Sequence, residues 1–358
     1  MIALRGNERL LIVKMSSIGD VVHALPAASA LRRTYPELRV SWLIEEELAA
    51  LVNGHPGVDR VVAIPSVTRG RMSARLAALR EAVRLVRAEP YDVALELQGL
   101  MVSSLIAVLA GARVRVGRAR RREGAHLLTR RVPRLEGAHA VEESLACARF
   151  LGATPGPVRF ALPVAPAAAT TVASKLVALR LPPDAPPVVL NPSASAAWKL
   201  WPAAHWTVAA RELAHEASVI LVGSRHERSQ HGQIGRQAGG GVYDLTGETS
   251  LAELIAILDR CTLHIAGDTG SCHIAAALGR PVVGIFGPSD PQRLGPYGQG
   301  EFLLSGADLC GRLCPHWCSN AQRCLRSITP DRVVAQARRA MAAARDQRSA
   351  ATGRTQVS

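Results

Sequence analysis

Apolar residues fall along this chain in two alternating patterns. Short dense runs, bounded by Gly, Pro, Asp or Ser, read as strands buried on both faces; longer stretches with apolar residues every three or four positions read as amphipathic helices. The first dense run covers 10–15 and ends in the turn Ser16-Ser17-Ile18-Gly19-Asp20. A helix is expected over 21–33, with Pro26 near its first turns. Further strands are expected at 40–44, 58–64 and 91–97. Helices are expected from Glu45 and over 73–87, 100–109 and 139–151. A Pro-, Ala- and Gly-rich stretch at 154–166 reads as a linker.

The alternation then resumes. Helices are expected around 171–179 and over 205–214, 251–258 and 272–278, the last closed by Gly279. Strands are expected at 188–191, 218–222, 243–245, 263–266 and 281–286. A terminal helix at 331–344 precedes a polar tail, 345–358, expected to be disordered. This is the signature of an α/β protein with parallel sheets. Two such series predict two doubly wound domains, 1–165 and 166–330, followed by the helix and tail at 331–358. The two halves share no visible sequence repeat.

In such sheets ligands bind beyond the carboxyl ends of the strands. The turn Gly267-Asp268-Thr269-Gly270 lies there, before a helix whose unpaired N–H groups suit an anion such as a diphosphate. Gly270 permits close backbone approach, and Asp268 stands at the rim as a hydroxyl acceptor. The alternative is an ordinary helix cap. Asp20 has the same two readings: a cap, or a carboxylate able to take a proton.

With 358 residues, 48% hydrophobic and 20% charged, the chain can build two cores. No apolar run approaches the roughly 20 residues of a membrane span, and 10–13 is too short for a signal-peptide core, so the expected location is the cytoplasm. The net charge of +14 attracts nucleic acid, anionic lipid or a phosphorylated substrate. An aromatic content of only 4% and the lack of a recognition motif argue against nucleic acid. The most basic stretch, 113–134, reads either as a solvated loop or as a phosphate-binding rim. Cys310, Cys314, Cys318 and Cys324 cluster, but without paired C-x2-C spacing. Zinc, reduced thiols and a disulfide all stay open there.

Six segments, read in order, resemble glycosyltransferase family 9: LLIVKMSSIGDVVHALPA, LELQGLMVSS, HAVEESLACARFLG, NPSASAAWKLWPAAHW, the turn from Gly223 to Glu227, and GDTGSCHIAAALGRPVVGIFGPSDP. Its members add heptose from an ADP-heptose donor to the lipopolysaccharide inner core. The first segment is most similar to those that add the first heptose. The resemblance implies a GT-B fold, two Rossmann-like domains facing across a cleft, with acceptor on the first and donor on the second. It implies inverting transfer from ADP-L-glycero-D-manno-heptose to 3-deoxy-octulosonic acid on lipid A, without a required cofactor or metal.

Residue by residue, Asp20 matches the general base and Lys199 the lysine near the diphosphate, suited to stabilising leaving-group charge. Thr269 and Gly270 match the diphosphate turn, Asp268 a contact to donor hydroxyls, and Glu227 a ribose-binding carboxylate. Ser193 and Ser195 match phosphate contacts. His273 matches a family histidine at the helix start, with packing as its other reading. Arg69, Arg71 and Arg122 match basic acceptor-binding positions. A phosphorylated lipid-linked core acceptor implies a protein peripheral on the inner face of the inner membrane, held by its charge. The Cys-rich tail departs from the first-heptose members. The alternatives are a family 9 transferase with a later core acceptor or another nucleotide sugar, and a non-catalytic GT-B-like binding protein.

Overall fold

The opening apolar run becomes β1 (Arg9–Val13) in the computed structural model, which describes residues 2–118, 124, 127–133, 135–182, 185–287, 289–306 and 321–355. Two helices follow where one was expected: α1 (Ile18–Val22) and α2 (Leu25–Thr34). Pro26 is the cause. It has no N–H to give and fits only in a first turn, so the helix restarts at Leu25. Next come β2 (Arg39–Glu45), a 3₁₀ segment Glu46–Leu51, β3 (Arg60–Ile64), α3 (Met72–Val86), β4 (Val93–Glu96) and α4 (Met101–Leu109).

In the basic stretch the solvated-loop reading fails where strands form. The stretch contains β5 (Val114–Arg118) and β6 (Arg130–Val132), before α5 (Ala140–Phe150). In β5 two arginines have partners close by. Arg115 donates to the carbonyls of Leu128 and Ala112, and Arg118 pairs with Glu143. The six parallel strands lie in the order β3-β2-β1-β4-β5-β6. This first unit spans Met1–Pro163.

The second unit, Val164–Ser358, starts with α6 (Pro166–Ala178) and β7 (Val188–Asn191). A short 3₁₀ turn, Ala197–Lys199, leads to α7 (Ala203–Ala214) and β8 (Val219–Leu221). Another 3₁₀ turn, Arg225–Glu227, runs into α8 (Arg228–Ala238), then β9 (Val242–Asp244) and α9 (Leu251–Arg260). The remainder is β10 (Leu263–Gly267), α10 (Gly270–Ala277), β11 (Val282–Phe286), α11 (Pro291–Leu294), β12 (Leu303–Ser305), α12 (Ala321–Arg326) and α13 (Pro330–Thr355).

Its sheet order is β12-β11-β10-β7-β8-β9. Each unit therefore arranges its own six strands as third, second, first, fourth, fifth, sixth, the doubly wound order with a switch point between first and fourth. The core of the second unit joins these strands to Trp201 and Trp206 and to Val333, Val334, Ala337, Ala340 and Met341 of α13. The tail expected to be disordered from 345 continues as helix to Thr355, because its Ala and Arg residues are strong helix formers. Among the described residues no helix is long and apolar enough to cross a membrane.

Candidate active-site groups

In the first unit the strand ends at the switch point bring together a buried polar cluster. Val13 of β1 pairs with Glu96 of β4, so the residues just beyond them are neighbours. Gln98 receives the Met15 N–H at 3.0 Å through its side-chain carbonyl. Glu96 accepts from the Gln98 and Gly99 N–H groups and from the Ser103 hydroxyl, at 2.9, 2.7 and 2.7 Å. Burial pushes the Glu96 carboxyl up, against those three hydrogen bonds and the Lys14 charge. Lys14, 1% exposed, reaches out of this cluster to Asp20, with Nζ 3.5 Å from Oδ1. A lysine so deep needs an anion beside it.

Asp20 is the third residue of α1, and its side chain is 37% exposed. Its Oδ2 accepts from the Ser17 hydroxyl at 3.1 Å. Ser17 is the N-cap residue of α1, so the capping position belongs to Ser17 and the carboxylate projects from the first turn. Arg69 sits in a different setting. Its guanidinium donates to Glu45, a buried carboxylate, at 2.6 Å and to Glu47 at 3.0 Å. Ser66 also donates to Glu45. Arg71 is exposed at the N-cap of α3, and Arg122 lies outside the described residues.

The second unit gathers most of its candidates around α10. Thr269 is the N-cap residue of α10 but gives no side-chain cap, and Gly270 is the first helical residue. The bland reading of Asp268 as a cap fails, because its carboxylate is used elsewhere. Its Oδ2 lies 2.5 Å from Lys199 Nζ and accepts from Ser289 Oγ at 2.6 Å. Lys199 also stands 5.1 Å from the centre of the Trp198 ring, within reach of a cation–π attraction. Gly267, just before Asp268, leaves room for a close approach: a Cβ there would meet the Ser193 carbonyl oxygen at 3.0 Å, a tight contact. The Ser193 turn is thereby packed directly on the end of β10.

Glu227 closes its 3₁₀ turn and accepts from the N–H and hydroxyl of Ser224, both at 2.7 Å. Burial works to raise its pKa, but the Ser224 hydrogen bonds, with the Ser193 hydroxyl close by, hold the carboxyl below its ordinary value. Gly223 lets this happen, since a Cβ would meet the His231 ring at 2.6 Å and Glu227 Oε2 at 3.1 Å. Ser193 and Glu227 are thus brought together. Ser195 is exposed, and His273 is buried within α10.

Of the cysteine cluster, Cys324 is buried on α12, while Cys310, Cys314 and Cys318 fall outside the described residues. Among the described residues no three His, Cys, Asp or Glu side chains group as metal ligands. Sequence reasoning missed Lys14, Glu96, Gln98 and Ser289. The available signal was a charged residue inside a dense apolar run, at Lys14 and again at Glu96.

The model of glycosyltransferase family 9 (heptosyltransferase) matches residues 79–311. Lipopolysaccharide heptosyltransferase 1 of Escherichia coli (strain K12) is 30% identical over 307 residues, covering 82% of this chain and 92% of that protein. The structure of E. coli heptosyltransferase WaaC with ADP superposes with a TM-score of 0.68 at 27% identity, covering 83% of this chain and 92% of that one. The glycosyl transferase family 9 structure from Veillonella parvula reaches a TM-score of 0.81 at 18% identity, covering 95% of this chain and 99% of that one, and speaks for the fold alone.

Proposed function

The chain belongs to glycosyltransferase family 9, and from that premise we propose that it transfers heptose from ADP-L-glycero-D-manno-heptose to the lipopolysaccharide inner core. The acceptor in this reading is 3-deoxy-octulosonic acid on lipid A, and the anomeric carbon inverts. The observation that carries it is the Lys199–Asp268 pair beside the start of α10. Negative charge builds on ADP as the glycosidic bond breaks. A lysine on a three-residue turn can pass from Asp268 to a diphosphate oxygen and meet that charge. The N–H groups opening α10 face the same anion. Asp268, relieved of the lysine, can accept a sugar hydroxyl, and Glu227, held ionised, can accept ribose hydroxyls.

Asp20 takes the proton of the acceptor hydroxyl as that oxygen attacks from the face opposite ADP. Lys14 fixes one carboxylate oxygen from below and leaves the group exposed for the proton. Arg69 and Arg71 contribute to phosphate recognition on the acceptor side. The protein works at the inner face of the inner membrane. That placement is supported by Met72 and Leu76, 63% and 49% exposed one turn apart on α3, with the exposed Arg71 and Arg80 close by in the chain. Exposed apolar side chains with arginines near them in the chain suit an anionic lipid surface.

The test is ADP release by the purified protein given ADP-heptose, with and without lipid A carrying 3-deoxy-octulosonic acid. Acceptor-dependent release is expected. Tight donor binding without release would move the acceptor to a later core sugar, and no donor binding would remove the heptose reading.

A further inference from the structure

Beneath the α10 turn runs a chain of hydrogen bonds through three side chains that the mechanism above does not use. The Ser193 N–H lies 3.2 Å from Asn191 Oδ1. Asn191 Nδ2 lies 2.9 Å from Ser271 Oγ, which lies 2.9 Å from His264 Nε2. His264 Nδ1 lies 3.0 Å from the Val189 carbonyl oxygen. Asn191, Ser271 and His264 are all at least nine-tenths buried.

The direction of every bond follows from the ends. A backbone N–H can only donate and a backbone carbonyl can only accept. Asn191 must therefore receive Ser193 on its oxygen and give its NH2 to Ser271. His264 must give Nδ1–H to Val189, and because burial lowers its pKa to about 4 and keeps the ring neutral, Nε2 accepts the Ser271 hydroxyl proton. The two deductions meet at Ser271 Oγ, which accepts one bond and donates one, so the chain closes without conflict.

Its geometry also has a purpose. Asn191 ends β7, His264 lies within β10, and Ser271 is the second residue of α10. β7 and β10 are the first and fourth strands of this sheet, the pair at its switch point. Apolar packing would hold the strands together but would not orient the two turns beyond them. Directional bonds do.

We propose that Asn191, His264 and Ser271 are positioning residues that lock the Ser193 turn to the first turn of α10, presetting the surface that receives the diphosphate of a nucleoside-diphosphate sugar. The proposal rests on the donor reading given above. Polar groups held in advance lose no freedom when the anion arrives, and affinity rises accordingly.

The experiment is calorimetric titration with ADP of the wild type, Ser271→Ala, Ser271→Thr and Asn191→Asp, each checked for a cooperative melt. Asn191→Asp keeps the acceptor for Ser193 and loses the donor to Ser271. Alanine and aspartate are expected to weaken ADP at least tenfold, and threonine, which keeps the hydroxyl, to return within threefold of wild type. Nitrogen NMR of the wild type is expected to show His264 as the neutral Nδ1–H tautomer. A folded Ser271→Ala or Asn191→Asp with wild-type ADP affinity overturns the proposal, since a merely structural role lowers the melt and spares affinity. An Nε2–H tautomer overturns it as well, and needs no variant to fold. A wild type that binds no ADP fails before any variant is compared, and takes down the donor reading together with the proposal.

Discussion

Each unit sets a carboxylate beyond its strand ends and faces it with a lysine, but the two pairs are built in opposite senses. In the first, Lys14 is buried and Asp20 is 37% exposed, at 3.5 Å. In the second, Lys199 and Asp268 are almost equally shielded, at 18% and 16% exposure, and closer, at 2.5 Å. Lys14 directly follows a central strand, so its place is rigid. Lys199 ends a three-residue turn, while Asp268 is anchored a second time by Ser289. The cation is therefore the fixed part of the first pair, and in the proposed transfer the carboxylate is its working end. In the second pair the carboxylate is fixed and the cation can change partners. A base needs the first arrangement, and a movable counter-charge needs the second.

That contrast can be broken from either side. Asp20→Ala should lower turnover about 10²–10⁴-fold, the usual weight of a general base, with ADP affinity by calorimetry unchanged. Turnover near wild type would mean that the exposed carboxylate is not the working end. Lys199→Met should lower kcat by about 10²–10³-fold, as loss of one charge-stabilising group does. Single-turnover kinetics would check it, and an effect confined to KM would make the lysine a binding group only.

Lys14→Met should act mainly on stability. It leaves Glu96 buried without its nearby cation, at a cost of about 3 kcal/mol in chemical denaturation. A turnover loss as large as that of Asp20→Ala would show that Lys14 works in the reaction rather than beneath it.

The smallest effect is a pH dependence that both units share. Burial lowers His55 in the first unit and His264 in the second to about 4 from 6.5. Between those values the unfolded chain binds a proton that the folded one refuses. Stability from these residues is therefore complete above pH 6.5 and is lost as pH falls toward 4. Going from pH 6 to 5 should cost about 1 kcal/mol through each. His264→Gln should remove about 1 kcal/mol of that loss between pH 6 and 5, and a slope that does not change would show that His264 does not carry it.

The strands at the centre of each sheet were legible because they are buried on both faces and read as unbroken apolar runs; 188–191 matches β7 to the residue. The edges were less so. α8 carries Gly232 and Gly235 and a polar surface, and buries only His231, Ile234 and Ala238, too thin a stripe to stand out. β5 hides behind arginines that look solvated until Leu128, Ala112 and Glu143 are seen beside them. Asp20, Lys199 and Asp268 were visible as single residues, but their partnerships were not. Met15 and Gln98 touch across 83 positions, and Lys199 and Asp268 across 69. Only the order of strands brings such residues together, and a one-dimensional pattern does not contain it.

The helix α13 gives the two units different histories on the ribosome. The first unit has its last strand by Val132 and its last helix by Phe150, so it can fold while the rest is still being made. The second buries Val333 to Met341 of α13 against its central strands, and β7 must wait for them with its apolar face uncovered. At the usual 5–20 residues per second that delay is on the order of 10–30 s. For that interval the nascent chain carries a finished domain and an unfinished one, and the unfinished one is where chaperone binding and premature proteolysis should concentrate.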